Sequence, residues 1–389
     1  MVAKLEDFGI NSQSGFLPAS DPLKRLSSKF NPWEDIASEI PKLLVADSLR
    51  KTVDAMPLIS VDGLKLEAEL ERAMMLLSYI GHGYVWAAGK TVAKIPKNLA
   101  IPWYQLSQEL KRPPVLSYPS YALWNWKRVD PVGPIALGNI ALLQNFLAGV
   151  DEEWFILIHV DIEAKAAVAI SRLLQLNDAA QSGDSKKLAE LLSEISGCIK
   201  DMFATLERMP ERCDPYIYYN RVRPYIHGWK NNPSLPDGLV YEGVDDYKGV
   251  GQKFRGETGA QSTIVPSLDA AFGVKHKDDF MKAYLLEMRS YMPWKHRSFL
   301  EELEKRPSLR EVICNKFKSD KAVVESYNSC LDWLSKFRTQ HINYAVSYIE
   351  KQNETSPSNP TKIGTGGTPF VPYLTKHRDE TTEFKIALT

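Results

Sequence analysis

Apolar and polar positions follow a helical spacing over most of the second part of the chain. Segments at 138–148, 152–176, 185–208, 215–228, 278–290, 295–304 and 320–350 repeat apolar residues every three or four positions, as the buried face of a helix does. Upstream, helices are predicted over 33–56, with a break at Pro41, and over 66–84, whereas 58–65 is predicted to form a short strand and turn. The pattern therefore predicts a mainly α-helical fold.

The distribution of long helices also predicts a division of the chain. We expect a smaller, mostly helical N-terminal domain over 1–140 and a large all-helical domain over 141–389. Two long stretches within the second domain lack helical periodicity. Residues 231–263 are glycine-rich, and a loop of that length in a compact domain is usually functional. Residues 351–368 are polar and are expected to form a mobile loop.

Charge and composition exclude several classes of protein. The 48 basic residues balance the 48 acidic residues, so the zero net charge argues against a nucleic-acid-binding protein. The longest uncharged run, 131–150, contains proline, glycine and asparagine and is a poor membrane span. None of the four cysteines has zinc-site spacing, and the first residues lack the apolar core of a secretory signal. We therefore expect a cytoplasmic protein with free thiols, no membrane contact and no nucleic-acid partner.

Two histidines lie on apolar helix faces. His341 occupies the gap of eight in a helical stripe formed by Tyr327, Leu331, Leu334, Phe337, Ala345 and Tyr348. His159 lies in the apolar helix over 154–170. Each can be a hydrogen-bonded core histidine, or a neutral imidazole that binds a metal or a haem iron. Two such helices facing each other would be able to hold a flat cofactor between them.

The segment "CDPYIYYNRVRPYIHGWK" combines a helix start with an arginine at a predicted kink. Asp214 and Pro215 are favourable as N-cap and first helical residue, and Pro224 disfavours helical geometry at Arg223. Tyr219 lies four positions before Arg223 and therefore on the same face. Arg223 can bind a substrate carboxylate in a forked pair, or pack its stem over the tyrosine at the surface. The segment alone favours neither interpretation.

The sequence "IGTGGT" at 363–368 can receive an anion on its backbone N–H groups and hydroxyls, or serve as a hinge. It is not a nucleotide-binding P-loop, because no Gly-Lys-Ser/Thr follows and no strand and helix flank it. The chain also has no serine-hydrolase, zinc-protease, dinucleotide-binding or EF-hand motif. The usual enzyme signatures therefore have no support.

Four blocks together resemble the indoleamine 2,3-dioxygenase family. They are "HGWKNNPSLPDGLVYEG", "MRSYMPWKHRSFL", "FRTQHINYAVSYI" and "GTGGT", in this order, and the resemblance extends from about residue 50 to residue 375. It implies a haem b enzyme that adds both atoms of O2 across the indole C2–C3 bond of L-tryptophan, giving N-formyl-L-kynurenine, the first step of the kynurenine pathway. It also implies a need for a reductant that makes the haem ferrous, and a monomer is expected.

The resemblance implies roles for residues that match the family's motifs. His341 would be the proximal ligand of the haem iron, and Arg223 would bind the substrate carboxylate. The aromatic pocket, the loop over the substrate and the haem edge would be formed by Tyr118, Tyr218, Tyr219, Gly259, Gly366, Gly367 and Thr368.

Three departures from the common animal pattern affect the expected pocket. His159 stands where a serine is frequent, and we expect its imidazole to hydrogen-bond the indole nitrogen. The aromatic pair is Tyr-Tyr rather than Phe-Phe, and "GETGAQS" replaces "GGSAGQS". Because these changes add polar groups, two alternatives stay open. One is a haem oxygenase of the same fold that acts on a modified indole, and the other is a haem-binding sensor with little catalysis.

Overall fold

The structure is a computed structural model that describes residues 3–354 and 356–387, and it is mainly α-helical, as predicted. The α-helices of the described residues are α1 Asn31–Val45, α2 Leu49–Asp54, α3 Glu67–Trp86, α4 Lys97–Leu110, α5 Val150–Ser182, α6 Ser185–Glu207, α7 Pro215–Ile217, α8 Ile264–Phe272, α9 Phe280–Met288, α10 Trp294–Glu304, α11 Leu309–Val312, α12 Lys321–Ala345 and α13 Phe370–Glu383. Wider π-helical turns occupy Pro119–Leu123, Tyr218–Val222, Ile313–Phe317 and Val346–Glu350.

The strands of the described residues are four pieces of two residues each. They are β1 Lys94–Ile95, β2 Lys127–Arg128, β3 Ile140–Ala141 and β4 Val240–Tyr241. β1 pairs with β4 in parallel, and β2 pairs with β3 antiparallel. The strand predicted over 58–65 is wrong, because this segment has no neighbouring strand to pair with and closes only a local turn, from Leu64 N to Val61 O.

The helix predicted over 138–148 is also wrong. This segment begins in β3 and continues as a loop whose backbone N–H groups donate to side chains instead of to a helical ladder. Gln144 N donates to Asn125 Oδ1 at 2.8 Å, and Phe146 N and Leu147 N donate to the Glu152 carboxylate at 2.6 and 3.0 Å. Buried backbone groups must be paired, and here the paired conformation is not a helix.

One apolar cluster joins α5, α6, α8 and α12. α6 packs against both α5 and α12, and the turn between α5 and α6 uses Gly183 in the left-handed conformation and the Asp184 side chain as the N-cap of α6. The predicted stripe of α12 is buried at Tyr327, Leu331, Leu334, Ala345 and Tyr348. His341 lies on the same face of α12, and both His341 and His159 of α5 line one cavity.

A second apolar cluster gathers α1 to α4 and includes residues from much later in the chain, such as Trp229 and Leu239. The domain boundary at residue 140 therefore stays a prediction. α8, α11 and α13 lie outside every predicted helix, and a proline lies in the first turns of α8 and of α13. No helix formed by residues 3–354 and 356–387 has both the length and the apolar content that a membrane crossing requires.

Candidate functional site

A cavity of about 770 Å³ lies between α5, α8 and α12, and it is closed on one side by the segment 257–262 and by the loop 364–368. Its volume falls in the range of roughly 300–1,000 Å³ that is usual for substrate and cofactor sites. Seven of the sequence-predicted residues line this cavity: Tyr118, His159, Tyr218, Gly259, His341, Gly366 and Thr368. The predicted loop, helix and turn residues, far apart in the chain, therefore meet at one site.

His341 presents its imidazole to this cavity. The ring is enclosed by protein but keeps accessible surface, because it lines the cavity wall. Burial, and then the nearby His159, lowers the pKa of His341 to about 4, so the imidazole is neutral at physiological pH. No side chain or backbone group of the described residues forms a hydrogen bond with it. A neutral, unpartnered ring nitrogen facing a cavity has the electron pair that a metal ligand needs.

His159 faces the same cavity from α5. Its Nδ1 lies 2.8 Å from the carbonyl oxygen of Phe155, and a carbonyl only accepts, so Nδ1 carries the proton. Nε2 is then left with a lone pair. Burial lowers the pKa of His159, which keeps the ring neutral. His159 is therefore a hydrogen-bond acceptor in an aromatic environment, with the rings of Phe155 and Tyr118 centred 4.8 and 6.1 Å away.

Tyr118 is held by a carboxylate that sequence reasoning did not identify. Its hydroxyl donates to Glu163 Oε1 at 2.9 Å, and the Ser262 hydroxyl donates to the same oxygen at 2.9 Å. Glu163 lies four residues after His159 on α5, and burial raises its pKa to about 7. In the sequence, the position of Glu163 four residues after His159 was the only feature that indicated a place on the same helix face. The network fixes the Tyr118 ring as one wall of the cavity.

Arg223 and Tyr219 do not line the cavity in this structure. The chain leaves α7 through a π-helical turn and tightens at Arg223, which agrees with the kink expected before Pro224. Arg223 is fully buried and donates to Asn359 Oδ1 and, at 2.6 Å, to Ile363 O. Tyr219 donates to Asn359 O at 2.5 Å, and its ring lies 5.6 Å from the guanidinium. Both residues therefore anchor the loop that closes the site.

The guanidinium of Arg223 is still incompletely paired. Its Nε is buried and has no acceptor among the described residues. Burial lowers the pKa of Arg223 to about 10, which still leaves the group charged at neutral pH. A buried cationic donor without an acceptor is costly, so the site is suited to an anionic group next to Arg223.

The loop Gly364–Thr368 is packed against two other segments. Gly366 O accepts from Arg255 at 2.6 Å, and Gly367 O accepts from Asn231 Nδ2 at 3.0 Å. Gly367 has a φ of +77°, and a Cβ there would lie 2.4 Å from the carbonyl oxygen of Lys230. Only glycine fits this conformation and this approach. Thr368 then places its side chain on the cavity wall.

Glu257 also lines the cavity, and sequence reasoning did not single it out. It is the glutamate of "GETGAQS", where the resemblance already showed a departure from the family pattern. Its side chain is 4% exposed, and burial raises its pKa to about 8. In contrast, a Cβ added at Gly259 would meet nothing within 4 Å, so that position has no steric need for glycine.

The chain is similar to known proteins over almost its whole length. A family model described as "Indoleamine 2,3-dioxygenase" matches residues 4–384. The chain is 34% identical to indoleamine 2,3-dioxygenase 2 of Homo sapiens, over 97% of this chain and 95% of that protein. It is 33% identical to indoleamine 2,3-dioxygenase of Saccharomyces cerevisiae, over 97% and 92%. It is also 31% identical to a 6-hydroxytryptophan 2,3-dioxygenase of Fusarium equiseti, over 98% of each.

Proposed function

The chain belongs to the indoleamine 2,3-dioxygenase family and is thus a dioxygenase of tryptophan or a related indole, and we propose that its substrate is L-tryptophan and its product N-formyl-L-kynurenine. In this reaction both oxygen atoms of O2 enter the product, the indole C2–C3 bond breaks, and no net electrons are consumed. The observation that carries the proposal is a cavity lined by two neutral histidines, His159 and His341, with the buried Arg223 within electrostatic range of the wall residue Tyr218.

His341 would hold the iron of haem b. The fit rests on its neutral, unpartnered imidazole, and on a cavity whose volume and aromatic walls suit a flat apolar cofactor. Gly259, Gly366 and Gly367, in the segments that close the cavity, would lie near the haem edge. When bound, the haem supplies the redox chemistry that lets O2 react with the indole, and a reductant is needed to bring the iron to the ferrous state. We expect the enzyme to work as a cytoplasmic monomer.

The protein's own contribution is to orient the amino acid. Arg223 does not line the cavity in this structure, so the loop that covers it would have to move before the carboxylate could pair with its Nε, the buried donor that lacks an acceptor. His159 Nε2 would accept the indole N–H, because the Phe155 carbonyl already uses Nδ1. Two contacts at opposite ends of the substrate fix the direction of the C2–C3 bond, which is catalysis by orientation.

The remaining residues exclude water. Tyr118 and Tyr218 form aromatic walls, and the ring of Phe155 packs 4.6 Å from that of Tyr218. Tyr219 stacks on Arg223 and holds the loop through Asn359. Thr368 would cover the substrate when the loop is closed. A dry, enclosed site prevents the loss of reactive oxygen species to solvent.

A specific observation favours one alternative, a modified indole as substrate. The relative from Fusarium equiseti is named for 6-hydroxytryptophan, and this chain places two carboxylates, Glu163 and Glu257, at or beside the cavity. Either carboxylate would be able to accept a hydrogen bond from a ring hydroxyl. A sensor with little catalysis has less support, because it does not need a substrate-binding arginine.

The test is turnover by the haem-loaded protein with a reductant in air. L-Tryptophan and 6-hydroxytryptophan are supplied separately and then in competition, and the formylkynurenine products are separated by chromatography. We expect the higher kcat/KM with L-tryptophan. A higher value for 6-hydroxytryptophan would establish the alternative, and haem binding without either product would favour a sensor.

A further inference from the structure

The carboxyl group of Glu257 is buried at the cavity wall without a hydrogen-bond donor from the described residues. The residue is 4% exposed, lines the cavity, and receives no hydrogen bond on its side chain from the residues that the structure describes. Burial raises its pKa to about 8 for this reason. A buried carboxyl group without a donor or a cation therefore stays protonated at neutral pH, and a cationic partner would favour its ionised form.

The neighbouring carboxylate Glu163 shows the contrast. Its Oε1 accepts two hydrogen bonds, from Tyr118 and Ser262, both at 2.9 Å. Glu163 is therefore a structural acceptor through Oε1, although its Oε2 is buried without a partner among the described residues. Glu257 has no donor on either oxygen in the described part of the chain, so no hydrogen bond within the protein accounts for the position of its side chain.

Glu257 and Arg223 both act on the hydroxyl of one tyrosine. Burial, the largest effect, raises the pKa of the Tyr218 hydroxyl, Arg223 lowers it, and Glu257 raises it. An α-amino acid carries a carboxylate and an ammonium group on one carbon. The guanidinium matches the carboxylate in sign, and Glu257 matches the ammonium once the carboxyl group has released its proton to solvent.

The closing loop touches both of these residues. Ile363 O accepts from Arg223 at 2.6 Å, and the Thr365 hydroxyl donates to the backbone carbonyl of Glu257. The segment 363–365 thus contacts the guanidinium of Arg223 and the backbone of Glu257. A ligand head group bound beneath this segment would be near both residues.

We propose that Glu257 binds the α-ammonium group of the amino-acid substrate and so selects zwitterionic indoles over indole acids. The inference rests on the proposed function, because it assumes that the cavity holds a tryptophan-like substrate. The ammonium group is the one cation that such a substrate brings, and its N–H groups supply the donors that the carboxylate lacks. Glu257 is a positioning and specificity residue in this role, and it takes no part in bond breaking.

The experiment compares ligands with and without an ammonium group. Calorimetric affinities of the haem-loaded ferric protein are measured for L-tryptophan, tryptamine and indole-3-propionate, in the wild type, Glu257→Gln and Glu163→Gln. Glutamine keeps the size of the side chain and removes the charge. We expect Glu257→Gln to lower the affinity for L-tryptophan and tryptamine by about 10- to 100-fold, the contribution of a charge-assisted hydrogen bond. The affinity for indole-3-propionate should fall by less than about twofold.

Two controls separate this role from a general loss of structure. Glu163→Gln alters the wall formed by Tyr118, so it should change the three affinities by similar factors. The haem absorption band and the Tm of Glu257→Gln should match those of the wild type. A Glu257→Gln variant that weakens all three ligands equally, or none of them, would overturn the inference.

Failure of the proposed function gives a different result. If the wild type cleaves L-tryptophan but Glu257→Gln keeps the wild-type ratio of affinities, only the role of Glu257 is refuted. If the wild type neither binds nor cleaves L-tryptophan, the proposed function itself fails and the inference falls with it.

Discussion

The Nδ1–H of His159 donates to the carbonyl oxygen of Phe155 one turn earlier on α5, at 2.8 Å. This bond decides which nitrogen faces the cavity as an acceptor, because the second ring nitrogen, Nε2, must then be unprotonated in the neutral ring. A core histidine would normally use both nitrogens on protein groups. His159 uses one and leaves the other to the cavity.

Replacing His159 tests this assignment. His159→Ala should raise the KM for L-tryptophan by about 2- to 10-fold, the value of one neutral hydrogen bond, while the haem content stays unchanged. The matched substrate is 1-methyltryptophan, which has no indole N–H to donate. Its affinity, measured by calorimetry, should be insensitive to the substitution; an equal loss for both ligands would show that His159 only fills space.

Replacing His341 tests the haem ligand. His341→Ala should lose the haem absorption band after purification, and added imidazole should restore haem binding by occupying the vacated position. His296→Gln is the control, since His296 is a buried histidine whose ring packs on Phe16 at 4.7 Å and lies outside the cavity lining. A haem band of full intensity in His341→Ala would contradict the assignment.

The glycines of the closing loop differ in what they tolerate. Gly367→Ala should cost about 1–2 kcal/mol, because alanine would take a φ of +77° with its Cβ 2.4 Å from Lys230 O. If alanine destabilises the closed conformation of the loop by this amount, the KM for L-tryptophan should rise by about 5- to 30-fold. Gly364→Ala is the control, because its nearest neighbour would be Thr368 O at an ordinary 3.5 Å. Steady-state kinetics give the KM of both variants. Similar KM values for Gly367→Ala and Gly364→Ala would show that loop closure does not contribute to substrate binding.

A buried charge cluster in the cavity wall should control stability in acid. Asp269 pairs with Arg338 at 2.5 Å and with His276 at 3.2 Å. Burial alone would raise the pKa of Asp269, but Arg338 and His276 lower it to about 2 from an ordinary 3.8. A carboxylate with a lowered folded pKa stabilises the protein above its unfolded pKa, and this stability disappears as the pH falls from 3.8 toward 2.

Urea unfolding measured from pH 5 to pH 2.5 checks this expectation. Over this range the free energy of unfolding of the wild type should fall by about 2 kcal/mol more than that of Asp269→Asn, because the asparagine cannot be protonated in this range. At pH 7 the variant should itself be less stable by about 3–5 kcal/mol, since Arg338 remains buried without its partner. Glu39→Gln, in the exposed pair with Lys42, should change stability by less than about 0.5 kcal/mol. Parallel pH profiles for wild type and Asp269→Asn would refute the assignment.

The same cluster explains why α13 was not predicted. Glu380 on α13 contacts His276 Nδ1 at 2.6 Å, and Thr381 accepts from Arg338 on α12. α13 is therefore held by polar contacts with distant residues, which leave no apolar repeat in its own sequence. The wrong prediction of a helix over 138–148 has the opposite cause. The segment has the apolar spacing of a helix, but its backbone N–H groups donate to side chains such as Glu152 instead of to backbone carbonyls one turn earlier.

The sequence by itself determined the helical class of the fold, the apolar stripe that carries His341, the N-cap at Asp214 and the break near Pro224. These features depend on neighbours within a few residues, where spacing and local sterics decide the conformation. Only the tertiary structure decided that Arg223 is covered by the loop through Asn359 and Ile363, and that Glu163 supports Tyr118. Only the tertiary structure decided that Glu257 faces the cavity without a partner. Such contacts join residues that are tens to more than a hundred positions apart, and their energies depend on burial and pairing, which no local pattern records.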